Sequence, residues 1–116
     1  MSQEKVKVTL ATLASQKPGD LGRLLGVELF STYYNQPVPE QVRMVLAVAQ
    51  EKGLTGVQFP VSTPWSDAEK MAREAIAIIL EFLATHPTFE RVEVLVSYYN
   101  TSLHSAMLAE LEAQSA

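Results

Sequence analysis

Hydrophobic and polar positions along the chain change period several times, and each change marks an element. Residues 5–13 alternate, with Val6, Val8, Leu10 and Thr12 on one side and Lys7 and Thr9 on the other, which predicts a strand. A second, more apolar run at 27–32 predicts a buried strand, and the Pro/Gly-containing stretch 16–26 between them reads as a loop or short helix. Pro39 is suited to the first turn of a helix over 39–52, in which Val42, Val45, Leu46 and Ala49 fall on one face. Gly53 then stands where a left-handed cap ends such a helix. Residues 55–62 predict a central strand that breaks at Pro60.

Ser66 and Glu69 have capping-box spacing and predict the start of a helix whose apolar face carries Met71, Ala72, Ala75, Ile76, Ile79, Phe82 and Leu83. It should stop at His86, which caps it, because Pro87 follows. Val92, Val94, Leu95 and Val96 make 91–98 a strand covered on both faces. A last helix, capped by Asn100 or Thr101, turns Leu103, Met107, Leu108 and Leu111 inward. Alternating strands and helices with short connections predict a mostly parallel α/β sheet of about four strands with three or four helices in two or three layers. Ligands collect at the carboxyl ends of strands in such sheets, which singles out the loops at 32–39, 62–67 and 97–101.

Composition narrows the chemistry. The 116 residues fit one domain spanning 1–116, with 47% hydrophobic residues and 19% charged ones. No cysteine is present, so disulfides, thiol nucleophiles and cysteine-held zinc are excluded, and the two histidines, His86 and His104, give no metal-ligand pattern. A net charge of −4 with scattered basic residues argues against nucleic acid or an anionic membrane as partner. The amino terminus lacks a signal-peptide pattern and no apolar run is long enough to span a bilayer, so the expected location is cytoplasmic.

The run Leu54-Thr55-Gly56-Val57-Gln58-Phe59-Pro60-Val61-Ser62-Thr63, between two helices, resembles the macro-domain strand that ends in Phe-Pro-x-Ile/Leu-Ser-Thr-Gly. Residues 92–100, followed by the final helix, resemble that family's last strand, and the likeness covers about 38–112. The resemblance implies a macro-like fold and binding of ADP-ribose or a related nucleotide. It puts Ser62 and Thr63 at the start of a phosphate-binding loop and Tyr98 beside an adenosine. Trp65 and Ser66 would add backbone N–H groups at the helix start, and Asn100 completes the mouth.

The family's glycine after Ser-Thr is Pro64 here, which has no N–H to offer, and its Asn-Ala-Ala-Asn stretch, glycine-rich loop and amino-terminal acidic residue are missing. The expectation is therefore non-catalytic binding, with no catalytic residue and no cofactor. Bland readings compete at each position. Ser62, Thr63, Trp65 and Ser66 also suit an ordinary strand-to-helix turn whose positive end Asp67 already neutralises, and Tyr33-Tyr34 and Tyr98-Tyr99 also suit core and surface packing. Asp20, Glu28, Asp67 and His104 form no acid–base pair, and Asn100-Thr101-Ser102 reads as a helix cap rather than a glycan acceptor. The alternative function is a ligand-free macro-like interaction or homodimerisation module, which would satisfy an open sheet edge.

Overall fold

The computed structural model describes residues 5–12, 37–61, 67–96 and 101–115. Among them a 3₁₀ turn, Lys5–Lys7, leads into β1 (Val8–Thr12), followed by α1 (Val38–Glu51), β2 (Gly56–Val61), α2 (Ala68–Thr85), β3 (Arg91–Val96) and α3 (Thr101–Gln114). The three strands form a parallel sheet in the order β1-β3-β2. The strands predicted at 55–62 and 91–98 are thus neighbours, parallel, and joined through α2, as a βαβ unit requires. The strand predicted at 27–32, which would raise the count to four, lies outside the described residues.

One face of the sheet builds the core. Val8 pairs with Val92 and Val92 with Val57, and the same rows continue through Leu10, Val94 and Phe59, then Val96 and Val61. Val57, Phe59, Val61, Val92, Val94 and Val96 join one contiguous cluster with Val42 and Val45 of α1, Ile76 and Ile79 of α2, and Leu103 and Met107 of α3. All three helices therefore lie on this one face. The other face carries Gln58, Glu93 and Leu95; the Gln58 amide donates to Glu93 Oε2 at 2.8 Å, and Leu95 is 1% exposed yet stands outside the core cluster. Burial on both faces of β3 agrees with its run of apolar residues.

Several local expectations need correction. Residues 5–7 turn as a 3₁₀ segment, so Val6 leaves the inward row and is 73% exposed. The strand does not break at Pro60, and hydrogen-bond parity explains why. The Arg91 N–H donates to Thr55 O, so in this parallel ladder residues 55, 57, 59 and 61 face β3 while Gly56, Gln58 and Pro60 turn their backbone groups to the outer edge. Proline there removes no bond of the β2–β3 ladder.

The second helix starts at Ala68 with Asp67 as its flanking residue, one place later than a Ser66 cap implies; Asp67 has φ 91° and makes no side-chain cap bond. Met71 and Phe82 are half-buried rather than buried, and Leu108 is 43% exposed, because Leu103, Met107 and Leu111 already fill the inward stripe of α3 at four-residue spacing. Gly53 adopts φ +70°, the left-handed cap its position predicts.

Candidate functional site: the carboxyl end of the sheet

The register makes the three strands end level, with Thr12 and Val61 both opposite Val96. Each helix runs antiparallel to the strand it joins, so α1, α2 and α3 all begin at this same end of the sheet. Unsatisfied N–H groups and the positive ends of three helix dipoles are thereby gathered at one place. The three ends differ in charge: the first turn of α1 contains Glu40 and that of α2 contains Glu69, whereas that of α3 contains no acidic residue. Leu103, the inward residue of that turn, is buried, and Thr101 and Ser102 are exposed.

All six residues singled out from the sequence, Ser62, Thr63, Trp65, Ser66, Tyr98 and Asn100, lie outside the described residues, as do Asp20, Glu28, Tyr33 and Tyr34. Their flanking residues are described. Val61 and Val96 are register partners on adjacent strands, so β2 and β3 end about 5 Å apart. After residues 62–66, Asp67 holds a left-handed backbone that costs a non-glycine residue about 1–2 kcal/mol. Strain of this kind is concentrated at ligand clamps and active sites.

Two residues have roles the sequence did not disclose. Gln41, in the first turn of α1, is 1% exposed, a buried polar side chain on the helix face that also carries Val38 and Val45; its helical spacing from those two valines was the available signal. His104 is not a base at the mouth. Its Nε2–H donates to Leu10 O at 3.2 Å, and ladder parity turns that carbonyl away from β3, so the imidazole covers the outer edge of β1.

The opposite end of the sheet has another character. The Gln50 amide donates to His86 Nε2, and the His86 Nδ1–H reaches Phe82 O at 2.8 Å while its ring stacks on Phe82 at 4.1 Å. His86 thus ties the ends of α1 and α2 together, in addition to ending α2 as expected. A shallow cleft of about 410 Å³ lies nearby, lined by Leu54, Thr55, Gly56, Glu90 and Arg91. Its polar groups already pair, Thr55 Oγ1 with Glu90 at 2.9 Å and Arg91 Nε with Glu93 at 3.5 Å. Helix carboxyl termini face this end, which makes it unsuited to anions.

Among the described residues no three His, Asp or Glu side chains gather to hold a metal, and no helix is long and apolar enough to cross a membrane. No protein-family model matches the chain, and searches of curated proteins and of solved structures return no significant match.

Proposed function

We propose that this chain is a reduced macro-like domain, with a sheet of about four strands, that binds a nucleotide derivative such as ADP-ribose at the carboxyl end of its sheet without turning it over. The observation that carries the reading is the level ending of three parallel strands beside the acid-free amino terminus of α3. Parallel α/β sheets bind phosphorylated ligands at such ends because helix N–H groups point there. Of the three helix starts, that of α3 suits a phosphate best, since Glu40 and Glu69 already occupy the fields of the other two. The resemblance of 59–63 to the macro-domain strand supplies the ligand class. Ser62, Thr63, Trp65 and Ser66 would then approach the phosphates from one side and Tyr98 and Asn100 from the other, the tyrosine stacking on the base. Pro64 takes one donor away, so binding in the micromolar range is expected.

Calorimetric titration with ADP-ribose, ADP and AMP tests this, beside a Ser62→Ala/Tyr98→Ala double variant and a Ser102→Asp variant. Saturable binding to the parent protein, lost in the double variant, supports the pocket; each charge-assisted bond removed should cost about 1.5–3 kcal/mol. Ser102→Asp should weaken all three ligands if phosphate sits at α3. Absence of heat with every ligand at millimolar concentration refutes the proposal.

A further inference from the structure

His86 sits where α1 and α2 end, and both of its ring nitrogens are engaged. Nδ1 lies 2.8 Å from Phe82 O and 2.9 Å from Thr85 Oγ1, and Nε2 faces the Gln50 side-chain amide of α1. A backbone carbonyl only accepts, so Nδ1 carries the proton in the neutral ring. The Thr85 hydroxyl donates to Glu81 O or Phe82 O at 3.1 Å, which leaves its oxygen free to accept from the same Nδ1–H. Nε2 then offers a lone pair and no hydrogen, so Gln50 turns its NH2 toward it. The partners thus fix both the tautomer and the amide orientation.

The ring is held on several sides. It stacks on Phe82 at 4.1 Å, and Phe82 meets the buried Phe89 edge to face at 5.0 Å. The His86 N–H donates to Leu83 O at 3.4 Å, and its carbonyl accepts from the Phe89 N–H at 2.9 Å. A half-turn of the imidazole would set a carbon against Phe82 O and lose that bond. Gln50, by contrast, is exposed in the last turn of α1 and can rotate its amide without moving the backbone.

Histidine is the side chain that ordinarily changes charge between about pH 5 and 8. Once protonated, Nε2 becomes a donor, and the NH2 of Gln50 no longer fits opposite it. We propose that the α1–α2 junction is a pH-sensitive clasp: protonation of His86 at Nε2 drives a half-turn of the Gln50 amide, which then accepts through Oε1 and closes the junction more tightly.

Three features make the protonated clasp the stronger contact. A hydrogen bond with an ionised partner is about twice as strong as a neutral one. Neither α1 nor α2 has a basic residue in its last turn, so an imidazolium between their carboxyl ends meets carbonyl dipoles that no cation there already opposes. The face of Phe82 adds a cation–π contact. Charged neighbours are of both signs: Glu51 and the cap residue Lys52 from α1, Glu81 from α2, Glu90 beside Thr55, Arg91 beside Glu93, and Lys7, whose Nζ donates to Pro87 O at 3.1 Å. Among the described residues none of them pairs with the ring, which leaves Gln50 as the partner that responds.

A double-mutant cycle tests this, with urea melts of the parent, Gln50→Met, His86→Phe and the double variant at about pH 8 and about pH 5.5, toward the two ends of the usual histidine range. Methionine removes the amide at similar size, and phenylalanine keeps a ring on Phe82. The cycle cancels the titration of other groups and isolates the Gln50–His86 coupling. Its factor in the folding constant should be at least about threefold larger at the lower pH. Nitrogen-15 shifts of the His86 ring, read on the unmodified protein, should show the Nδ1–H tautomer at the higher pH, and the Gln50 side-chain amide signals should move in step with protonation of the ring. A coupling that is equal or smaller at the lower pH overturns the proposal. So does the Nε2–H tautomer at the higher pH, or a Gln50 amide indifferent to the ring's titration.

Discussion

Phe59 and Pro60 are adjacent in one strand, yet the structure gives them opposite consequences. Phe59 is 0% exposed and joins the core cluster with helix residues, while Pro60 is half-buried on the other face with its backbone turned to the sheet edge. Phe59→Ala should leave a void between β2 and the helices, because three helices fixed on one face leave little room to collapse into it. The loss is about 3–5 kcal/mol. A domain of this size holds roughly 5–15 kcal/mol in total, so between a fifth and nearly all of the stability is at stake. With a urea slope near 2 kcal/mol/M, the unfolding midpoint should fall by about 2 M. Pro60→Ala should shift stability by only about 1 kcal/mol or less, through the greater freedom of its unfolded chain.

Urea melts of both variants, followed by far-UV circular dichroism, decide the matter. If Phe59→Ala costs under about 1 kcal/mol, or Pro60→Ala costs more than Phe59→Ala, the reasoning fails in a specific way. A one-residue slip of β2 would exchange the two faces and reverse the order of the effects.

His104→Ala removes the donor that covers Leu10 O and should cost about 0.5–1.5 kcal/mol in urea melts; light scattering should also detect more self-association as the β1 edge opens, and an unchanged melt would show that the bond contributes nothing. Asp67→Gly relieves a left-handed conformation costing about 1–2 kcal/mol against a loss of about 0.5–1 kcal/mol for the added flexibility of glycine. A small rise in stability is expected, with tighter binding of anionic nucleotides because a carboxylate leaves the ligand end. A drop in stability would refute the strain argument.

Much of the fold was legible because burial on this sheet is one-sided and periodic. Val42, Val45, Leu46 and Ala49 mark the inward face of α1 by spacing alone, and all four are buried. Gly53 announced its left-handed cap through a conformation that other residues avoid. Where the pattern misled, a neighbour or a hydrogen-bond parity overrode it. Val6 fits the alternation, but the 3₁₀ turn of Lys5–Lys7 rotates it outward. Pro60 looks like a strand breaker until the direction of its backbone is known, and that depends on pairing with β3, which spacing along one strand cannot reveal. Leu108 is apolar and helical, yet a four-residue stripe through Leu103, Met107 and Leu111 leaves it on the rim. The candidate site was legible only as a location, since strand ends follow from topology whereas ligand chemistry depends on side chains in the loops. His104 illustrates the gap: its contact is with a carbonyl 94 residues away in sequence.

The two edges of the described sheet are managed by different means, and the difference bears on function. At β1, α3 packs close by and its His104 donates to the outward carbonyl of Leu10, which hinders further strand pairing at that point. At β2, nothing among the described elements covers the edge, and Pro60 alone restricts it. What remains distinctive is the end where three strands stop level and three helices start, and the α3 terminus there is the one whose field no acidic side chain in its first turn opposes. Ligand binding and homodimerisation are read by two separate measurements. Saturable nucleotide heat supports ligand binding whatever mass light scattering gives, whereas a stable dimer with no heat would place the function at an interface.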